Sequence, residues 1–134
     1  MKNKLFLLIL FLLALSLAFL NFYAGLYFWY WRFWWFDLFM HFTGGVSVAL
    51  LVLYLYKNFG LKEKISIAST ILFVTITISI LWEIMEFLID ANLFGGNYFI
   101  DTLTDILIAL AGAFLISLLS NKIKIETNNK EPGV

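Results

Sequence analysis

Apolar residues fill four long stretches of the chain, and short polar breaks separate them. Each stretch has about the 20 mostly apolar residues that a helix needs to cross the hydrocarbon core of a bilayer. The pattern predicts an all-α fold, a polytopic membrane four-helix bundle that forms one domain over residues 1–134. The four predicted spans are residues 5–27, 37–56, 65–89 and 100–119.

The breaks between the stretches are predicted turns. Residues 57–64 carry four charges, and residues 90–99 contain the pair Gly95-Gly96, which is typical of a turn. Residues 121–134 are predicted to form a polar, frayed tail. The first stretch follows Lys2 and Lys4 and could instead be a signal peptide. We expect it to be retained as an anchor, because the apolar run continues past the candidate cleavage site at Ala18.

Composition supports lipid as the solvent. The chain is 63% hydrophobic and 13% charged, whereas soluble domains average about 25% charged residues. A chain of this length has no soluble core large enough for so much apolar surface. It has no cysteine, which excludes disulfides, thiolate nucleophiles and zinc-thiolate sites.

Basic residues predict the orientation of the spans. Eight of the nine Lys and Arg residues lie in the amino terminus, the second loop and the tail, which share one side of a four-span protein. Only Arg32 lies on the other side. Because cytoplasmic loops are enriched in Lys and Arg, both termini are predicted to be cytoplasmic, in a multi-pass protein of the cell membrane.

Ionisable residues of three different spans are predicted to lie at one depth. Spans two and four start at the outer face of the membrane and span three ends there, so all six side chains fall in its outer third. Residues three or four apart also share a helix face. The six residues are Asp37, His41, Glu83, Glu86, Asp101 and Asp105.

Small and polar residues predict which faces pack together. In span three, a polar stripe formed by Thr75, Ser79, Glu83, Glu86 and Asp90 is predicted to face inward. Gly44 on span two, and Ala109 and Gly112 on span four, are small enough for close helix contacts. Together they predict a compact bundle with an acidic pocket open toward the outside.

Ordinary structural roles explain part of this set. Asp37 and Asp101 could be helix N-caps, and His41 could be a hydrogen-bonded structural residue. The cap interpretation fails for Asp105, a full turn inside its helix. It also fails for Glu83 and Glu86, which approach a helix C-terminus, where the dipole repels anions.

The aromatic stretch WYWRFWWF, residues 29–36, has a structural interpretation too. Trp and Tyr are enriched at membrane interfaces, so the stretch is predicted to form an aromatic belt at the outer face, with Arg32 at the lipid headgroups. Trp82 lies at similar depth but beside Glu83. Both belt and pocket wall remain open for Trp82.

Charge compensation then leaves two alternatives for the pocket. Five carboxylates with one histidine and one arginine cannot all be ionised there without compensation. Either some are protonated in a hydrogen-bonded carboxyl network, or a metal ion neutralises them. The ligand set is rich in oxygen, which favours Mg²⁺, Mn²⁺, Ca²⁺ or Fe²⁺. The predicted metal ligands are Asp37, His41, Glu83, Glu86, Asp101 and Asp105.

Three motifs in order resemble a known membrane family. Residues 37–42 read D-x-x-x-H-F, residues 82–86 read W-E-x-x-E, and residues 101–105 read D-T-x-x-D, followed by Ala111-Gly112-Ala113. The set resembles the YjdF-like bacterial inner-membrane family. More loosely it is similar to the VanZ-like family, although Glu86 stands where that pattern has glutamine. The resemblance implies a polytopic membrane protein. For the VanZ-like family it also implies a link to the cell envelope and to glycopeptide-antibiotic resistance.

The first functional hypothesis is a metal-dependent site that acts on a lipid-linked or cell-envelope substrate at the outer leaflet. A bound ion could hold a phosphate or activate water. His41 or Glu83 is the candidate general base. No organic cofactor and no nucleic-acid partner are expected.

Two further hypotheses need no catalysis. In one, the pocket binds a cation or a basic ligand, or shares protons so that it fixes helix packing. In the other, the carboxylates and histidine form a proton relay or a small transporter, although no broken helix or inverted repeat supports transport. Membrane lipids are the expected partners, and the small-residue faces allow a homo-oligomer.

Overall fold

The computed structural model describes residues 2–59, 66–90, 98–120 and 122–123. These residues form five helices and no strand, which confirms the all-α prediction. The helices are α1 (Lys2–Leu26), α2 (Trp29–Arg32), α3 (Phe36–Phe59), α4 (Ile67–Asp90) and α5 (Tyr98–Leu119).

Four of these helices are long and apolar enough to cross a membrane, as predicted. Their apolar spans are Lys4–Leu26, Phe36–Phe59, Ile67–Ile89 and Tyr98–Leu119. Helix α3 continues three residues beyond the predicted end at Tyr56. The Gly95-Gly96 turn, most of the charged turn and most of the polar tail lie outside the described residues.

Local chemistry sets where the helices begin. The Ser66 hydroxyl accepts a hydrogen bond from the backbone N–H of Ser69 at 3.1 Å, so Ser66 caps the start of α4. Asp37 and Asp101 lie in the first turns of α3 and α5. There the helix dipole favours a negative charge. Both lie within their helices, after the N-cap position, so the N-cap interpretation is wrong for both.

Helices α3, α4 and α5 pack against one another and enclose the core. The buried core residues come from all three: Ala49, Val52, Leu53, Ile71, Ala113 and Ile116. Helix α1 lies at the edge and packs against α3, where the rings of Phe6 and Tyr54 stack 5.7 Å apart. Most of α1 is exposed, which in a bilayer means that it faces lipid.

Glycine allows the closest approach of α3 to α5. A Cβ atom at Gly45 would overlap the backbone of Ala109, and one at Gly112 would overlap the backbone oxygen of Phe42. The prediction that Ala109 and Gly112 mark helix contacts is confirmed. The same prediction for Gly44 is wrong, because a Cβ atom there would meet nothing within 4 Å. Its neighbour Gly45 makes the contact instead.

The connector between α1 and α3 is built from aromatic residues. Phe28 adopts a left-handed backbone with φ 56°, which turns the chain out of α1 into α2. Phe36 is 4% exposed, and the rings of Tyr30 and Trp29 lie 5.2 and 5.5 Å from its ring. Trp34 is 81% exposed, as a residue in an interfacial belt is expected to be.

At the opposite end of the bundle, Lys57 ties α3 to the end of α5. Its Nζ donates hydrogen bonds to the backbone oxygens of Ser120 at 2.9 Å and Ile123 at 2.7 Å. The last carbonyls of a helix have no partners within the helix and carry its negative dipole end. Lys57 therefore binds the backbone just after the end of α5 and holds the two helix ends together.

We expect Lys57→Met to destabilise the bundle by about 1–2 kcal/mol, because two charge-assisted hydrogen bonds are lost while the aliphatic bulk is kept. Thermal unfolding of the purified protein in detergent measures the change. Lys122→Met removes an exposed positive charge near the same end and is the matched control. Equal unfolding curves for the two variants would contradict a stabilising role for the Lys57 hydrogen bonds.

Candidate functional site

His41 lies at the centre of a cluster of carboxylates from three helices. Its Nε2 atom is 3.5 Å from Asp37 Oδ1, 4.0 Å from Glu83 Oε1 and 3.9 Å from Asp105 Oδ2. All three distances exceed the usual N–H···O range of about 2.7–3.2 Å. The carboxylates therefore surround the imidazole at distances longer than those of ordinary hydrogen bonds. We call these residues, together with Glu86, the His41 cluster.

Helix packing explains why these side chains meet. Helices α3 and α5 start at the same end of the bundle, and Gly45 touches Ala109 between them. His41 lies one turn before Gly45, and Asp105 lies one turn before Ala109. The contact between the small residues therefore places the imidazole and the Asp105 carboxylate at the same level.

Helix α4 supplies the third wall of the cluster from its polar stripe. Thr75, Ser79 and Glu83 are buried, at 1%, 8% and 5% exposure, as predicted for an inward-facing stripe. Glu86 lies one turn beyond Glu83 and is half-buried. Both glutamates occupy the last two turns of α4, where the helix dipole does not favour a carboxylate. Their position is therefore unexplained by helix stability alone.

Burial is uneven across the cluster. The side chains of His41, Glu83 and Asp105 are 9%, 7% and 5% exposed, whereas that of Asp37 is 34% exposed. The cluster is thus closed on its bundle side and reaches the surface at Asp37. Ionisable side chains so deeply placed in a membrane helix are costly and mark functional sites more often than not.

Two subsets of the cluster have the geometry to hold a metal ion. One consists of Asp37, His41 and Asp105, and the other of His41, Glu83 and Glu86. Within each subset the potential ligand atoms lie within 4.8 Å of one another. Ligands on opposite sides of an ion are separated by about twice the metal–ligand distance of roughly 2.0–2.6 Å. Each subset can therefore surround one ion after small side-chain adjustments.

Asp101 is the one predicted ligand that lies outside the His41 cluster. It is exposed at the start of α5, one turn before Asp105, and belongs to neither subset. The structure thus brings together five of the six predicted residues. A role for Asp101 as a metal ligand stays a prediction.

The charges of the cluster are poorly balanced. Among the described residues, His41 is the only basic side chain that pairs with the carboxylates of the cluster. Lys57 lies at the far end of α3, and Arg32 is exposed in the connector. One imidazolium cannot neutralise four carboxylates. A bound cation or shared protons must supply the remaining compensation.

Tyr30 is a neighbour of the cluster that the sequence did not distinguish. Its hydroxyl donates a hydrogen bond to Asn21 Oδ1 at 2.6 Å, which links the connector to α1. Burial raises the pKa of the Tyr30 phenol, and the negative charges of Asp37 and Glu86 raise it further. The phenol therefore stays neutral beside the carboxylates. In the sequence it is one of seven aromatic residues within residues 29–36 and gives no separate signal.

The Thr102 hydroxyl of α5 donates a hydrogen bond to the carboxylate of Glu83 on α4, beside the cluster. Nearby, the Tyr98 hydroxyl donates a hydrogen bond to the backbone oxygen of Glu83 at 2.9 Å. Buried polar groups nearly always find a partner. The Thr102 and Tyr98 hydroxyls are the partners that α5 supplies to Glu83.

Trp82 remains compatible with both of its predicted roles. It is 40% exposed on the surface of α4. It also lies beside Glu86, one turn further along the helix. The indole can therefore face lipid and border the cluster at the same time.

Comparison with known proteins gives a family and nothing finer. A family model described as "Predicted membrane protein (DUF2238)" matches residues 2–125. The YjdF-like resemblance is consistent with this family, whereas the VanZ-like resemblance is not shown by it. No curated protein and no solved structure matches the chain.

Proposed function

We propose that this chain, which belongs to the DUF2238 family of predicted membrane proteins, binds a divalent metal ion in the His41 cluster and acts there on a lipid-linked or cell-envelope substrate. The carrying observation is the convergence of four carboxylates from three helices on one imidazole. Oxygen-rich sets with one imidazole suit Mg²⁺, Mn²⁺, Ca²⁺ or Fe²⁺.

The two metal subsets suggest how roles would divide. They share only His41. An ion held by Asp37, His41 and Asp105 leaves Glu83 free as a general base beside the ion. An ion held by His41, Glu83 and Glu86 leaves Asp37 and Asp105 in the surrounding shell. The first arrangement suits catalysis better, because it keeps a buried carboxylate within reach of a metal-bound water.

The proposed setting is the outer leaflet of the cell membrane. The positive-inside bias of the lysines supports cytoplasmic termini, and the His41 cluster lies toward the opposite ends of α3, α4 and α5. Of the three carboxylates nearest the imidazole, Asp37 is the most exposed, so the entrance to the site would lie beside it. A substrate would then reach the ion from the membrane interface.

Metal analysis of the purified protein tests this proposal. After equilibration with Mn²⁺ and removal of free ion, we expect about one ion per wild-type chain. The double variant Glu83→Ala plus Asp105→Ala removes a ligand from each subset and is expected to retain none. Asp101→Ala, outside both subsets, is the matched control and should bind as the wild type does. Equal, substoichiometric metal in the wild type and the double variant would contradict the proposed metal site.

A second candidate function needs no metal. His41 Nε2 lies within 4.0 Å of three carboxylates, so a protonated imidazole could hold the bundle together as a shared hydrogen-bond network. The protein would then be a binding or interaction protein. In this case the wild type would bind no metal, but the double variant would unfold at a lower temperature.

A further inference from the structure

Asp37 is the member of the His41 cluster whose position depends most on residues outside the core. It lies in the first turn of α3, where the backbone N–H groups have no partners within the helix. Its side chain is 34% exposed, whereas those of His41 and Asp105 are 9% and 5% exposed and lie in the packed interior. The chain that precedes α3 is therefore what can hold Asp37 beside the imidazole.

Tyr30, on α2, packs against the residue that comes directly before Asp37. Its ring lies 5.2 Å from the ring of Phe36 and at 79° to it, an edge-to-face contact. Phe36 is 4% exposed and is the first residue of α3. Because Phe36 and Asp37 are neighbours in the same helical turn, the position of Tyr30 bears directly on that of the Asp37 carboxylate.

Tyr30 is itself held by α1. Helix α2 has only four residues, which is too short for a helix that is stable alone. The Tyr30 hydroxyl donates a hydrogen bond of 2.6 Å to Oδ1 of Asn21 on α1. Ser16, another polar residue of α1, instead donates to the backbone oxygen of Leu12 in its own helix. The bond to Asn21 therefore fixes α2, and with it the start of α3, to α1.

We propose that Tyr30 is a positioning residue of the metal site: its bond to Asn21 and its packing on Phe36 hold the Asp37 carboxylate beside His41, where it can bind the ion. The metal part of this inference rests on the proposed function. It gives α1 a part in the site, although its residues belong to neither metal subset.

Electrostatics agree with this place for the phenol. Burial raises the pKa of Tyr30, and the negative charges of Asp37 and Glu86 raise it further. The hydroxyl therefore lies near carboxylates of α3 and α4 and keeps the proton that it donates to Asn21.

A Mn²⁺ titration of Tyr30→Phe tests this role, because phenylalanine keeps the ring on Phe36 and loses only the hydroxyl. We expect the dissociation constant to rise about tenfold, as for other residues that orient a metal ligand without touching the ion. Tyr27→Phe removes an exposed hydroxyl close by in the sequence and is the matched control. Both variants should still bind one ion per chain, because neither loses a ligand. Equal affinities for the two variants would overturn the inference.

Asn21→Leu breaks the same hydrogen bond from α1 and leaves Tyr30 in place. If the bond is what positions Asp37, then Asn21→Leu, Tyr30→Phe and the double variant lose Mn²⁺ affinity equally. Additive losses would overturn the bond as the cause. Circular dichroism in detergent checks that each variant folds, and Asn21→Leu replaces Tyr30→Phe if the latter has lost helix.

The imidazole of His41 gives a second readout that needs no metal. His41 is the chain's only histidine, so isotope labelling of histidine gives the NMR signals of this one side chain. In the metal-free protein, Tyr30→Phe is expected to shift these signals, because Asp37 moves, and Tyr27→Phe is expected to leave them unchanged.

The two readouts separate the positioning role from the proposed metal function. Shifted His41 signals in Tyr30→Phe, with no Mn²⁺ bound by the wild type, support the hold on Asp37 and contradict the metal site. One Mn²⁺ per wild-type chain, with equal affinity and unshifted His41 signals in Tyr30→Phe, overturns the positioning role and leaves the metal site intact. Unshifted signals in a protein that binds no metal overturn both.

Discussion

Gly45→Ala is expected to destabilise the bundle by at least about 1–3 kcal/mol, the usual cost of forcing extra volume into a packed core. The new Cβ atom would overlap the backbone carbon and oxygen of Ala109. Backbone atoms of a membrane helix cannot rotate aside as a flexible side chain can. The only relief is for α3 and α5 to separate, which opens the tightest contact in the core.

Gly44→Ala is the matched control one position away. A Cβ atom there meets nothing within 4 Å, and alanine favours a helix over glycine by about 1 kcal/mol. We expect Gly44→Ala to be neutral or slightly stabilising. Unfolding of both variants by SDS titration in detergent measures the difference. Similar curves for the two would show that α3 and α5 are not held at this contact.

Gly45→Ala is also expected to weaken metal binding in the His41 cluster. Gly45 touching Ala109 is what sets His41 level with Asp105. If α3 and α5 separate, the Asp37, His41 and Asp105 subset opens. Mn²⁺ affinity should therefore fall in Gly45→Ala and stay unchanged in Gly44→Ala. Such a fall in a variant that still folds links the helix packing to the chemistry of the cluster.

Helical spacing predicted the helix faces but not the exact residues at the contacts. Gly44 and Gly45 follow His41 by three and four positions, which places them about 60° and 40° from it on opposite sides. Either could continue the face of His41. The crossing of α3 over α5 decides between them, and no pattern within α3 alone contains that crossing. This is why the sequence predicted Gly44 and the structure uses Gly45.

The same limit explains Asp101. Charge pattern and depth placed it with Asp105, because both lie near the start of α5, one turn apart. The extra turn brings Asp105 down between the helices and leaves Asp101 exposed at the end. Four residues correspond to a rise of about 6 Å along a helix. This distance is enough to place Asp101 outside a small buried cluster that contains Asp105.

Hydropathy predicted all four spans but not which helix lies at the edge. In lipid, core-facing and lipid-facing residues are both apolar, so hydrophobicity does not rank the helices. The peripheral place of α1 follows from what it lacks. It carries no buried glycine contact and contributes no residue to the His41 cluster, whereas α3, α4 and α5 all contribute.

His41→Ala is expected to destabilise the metal-free protein by about 3–5 kcal/mol, the cost of removing one partner from a buried ionic group. Glu83 and Asp105 are 5% and 4% exposed and would lose their positive partner. Added Mn²⁺ should not restore the stability, because His41 belongs to both ligand subsets. The free energy of unfolding in detergent, measured with chelator and with Mn²⁺, checks both expectations.

Asp101→Ala is the control, because it removes an exposed carboxylate from outside the subsets and should change stability by no more than about 0.5 kcal/mol. The comparison also separates the two forms of charge compensation. Ionised carboxylates around an imidazolium require the large loss in His41→Ala. A loss no greater than that of Asp101→Ala would contradict an ionic cluster. Carboxyl groups that share protons with one another would then be the compensation, because neutral groups need no positive partner.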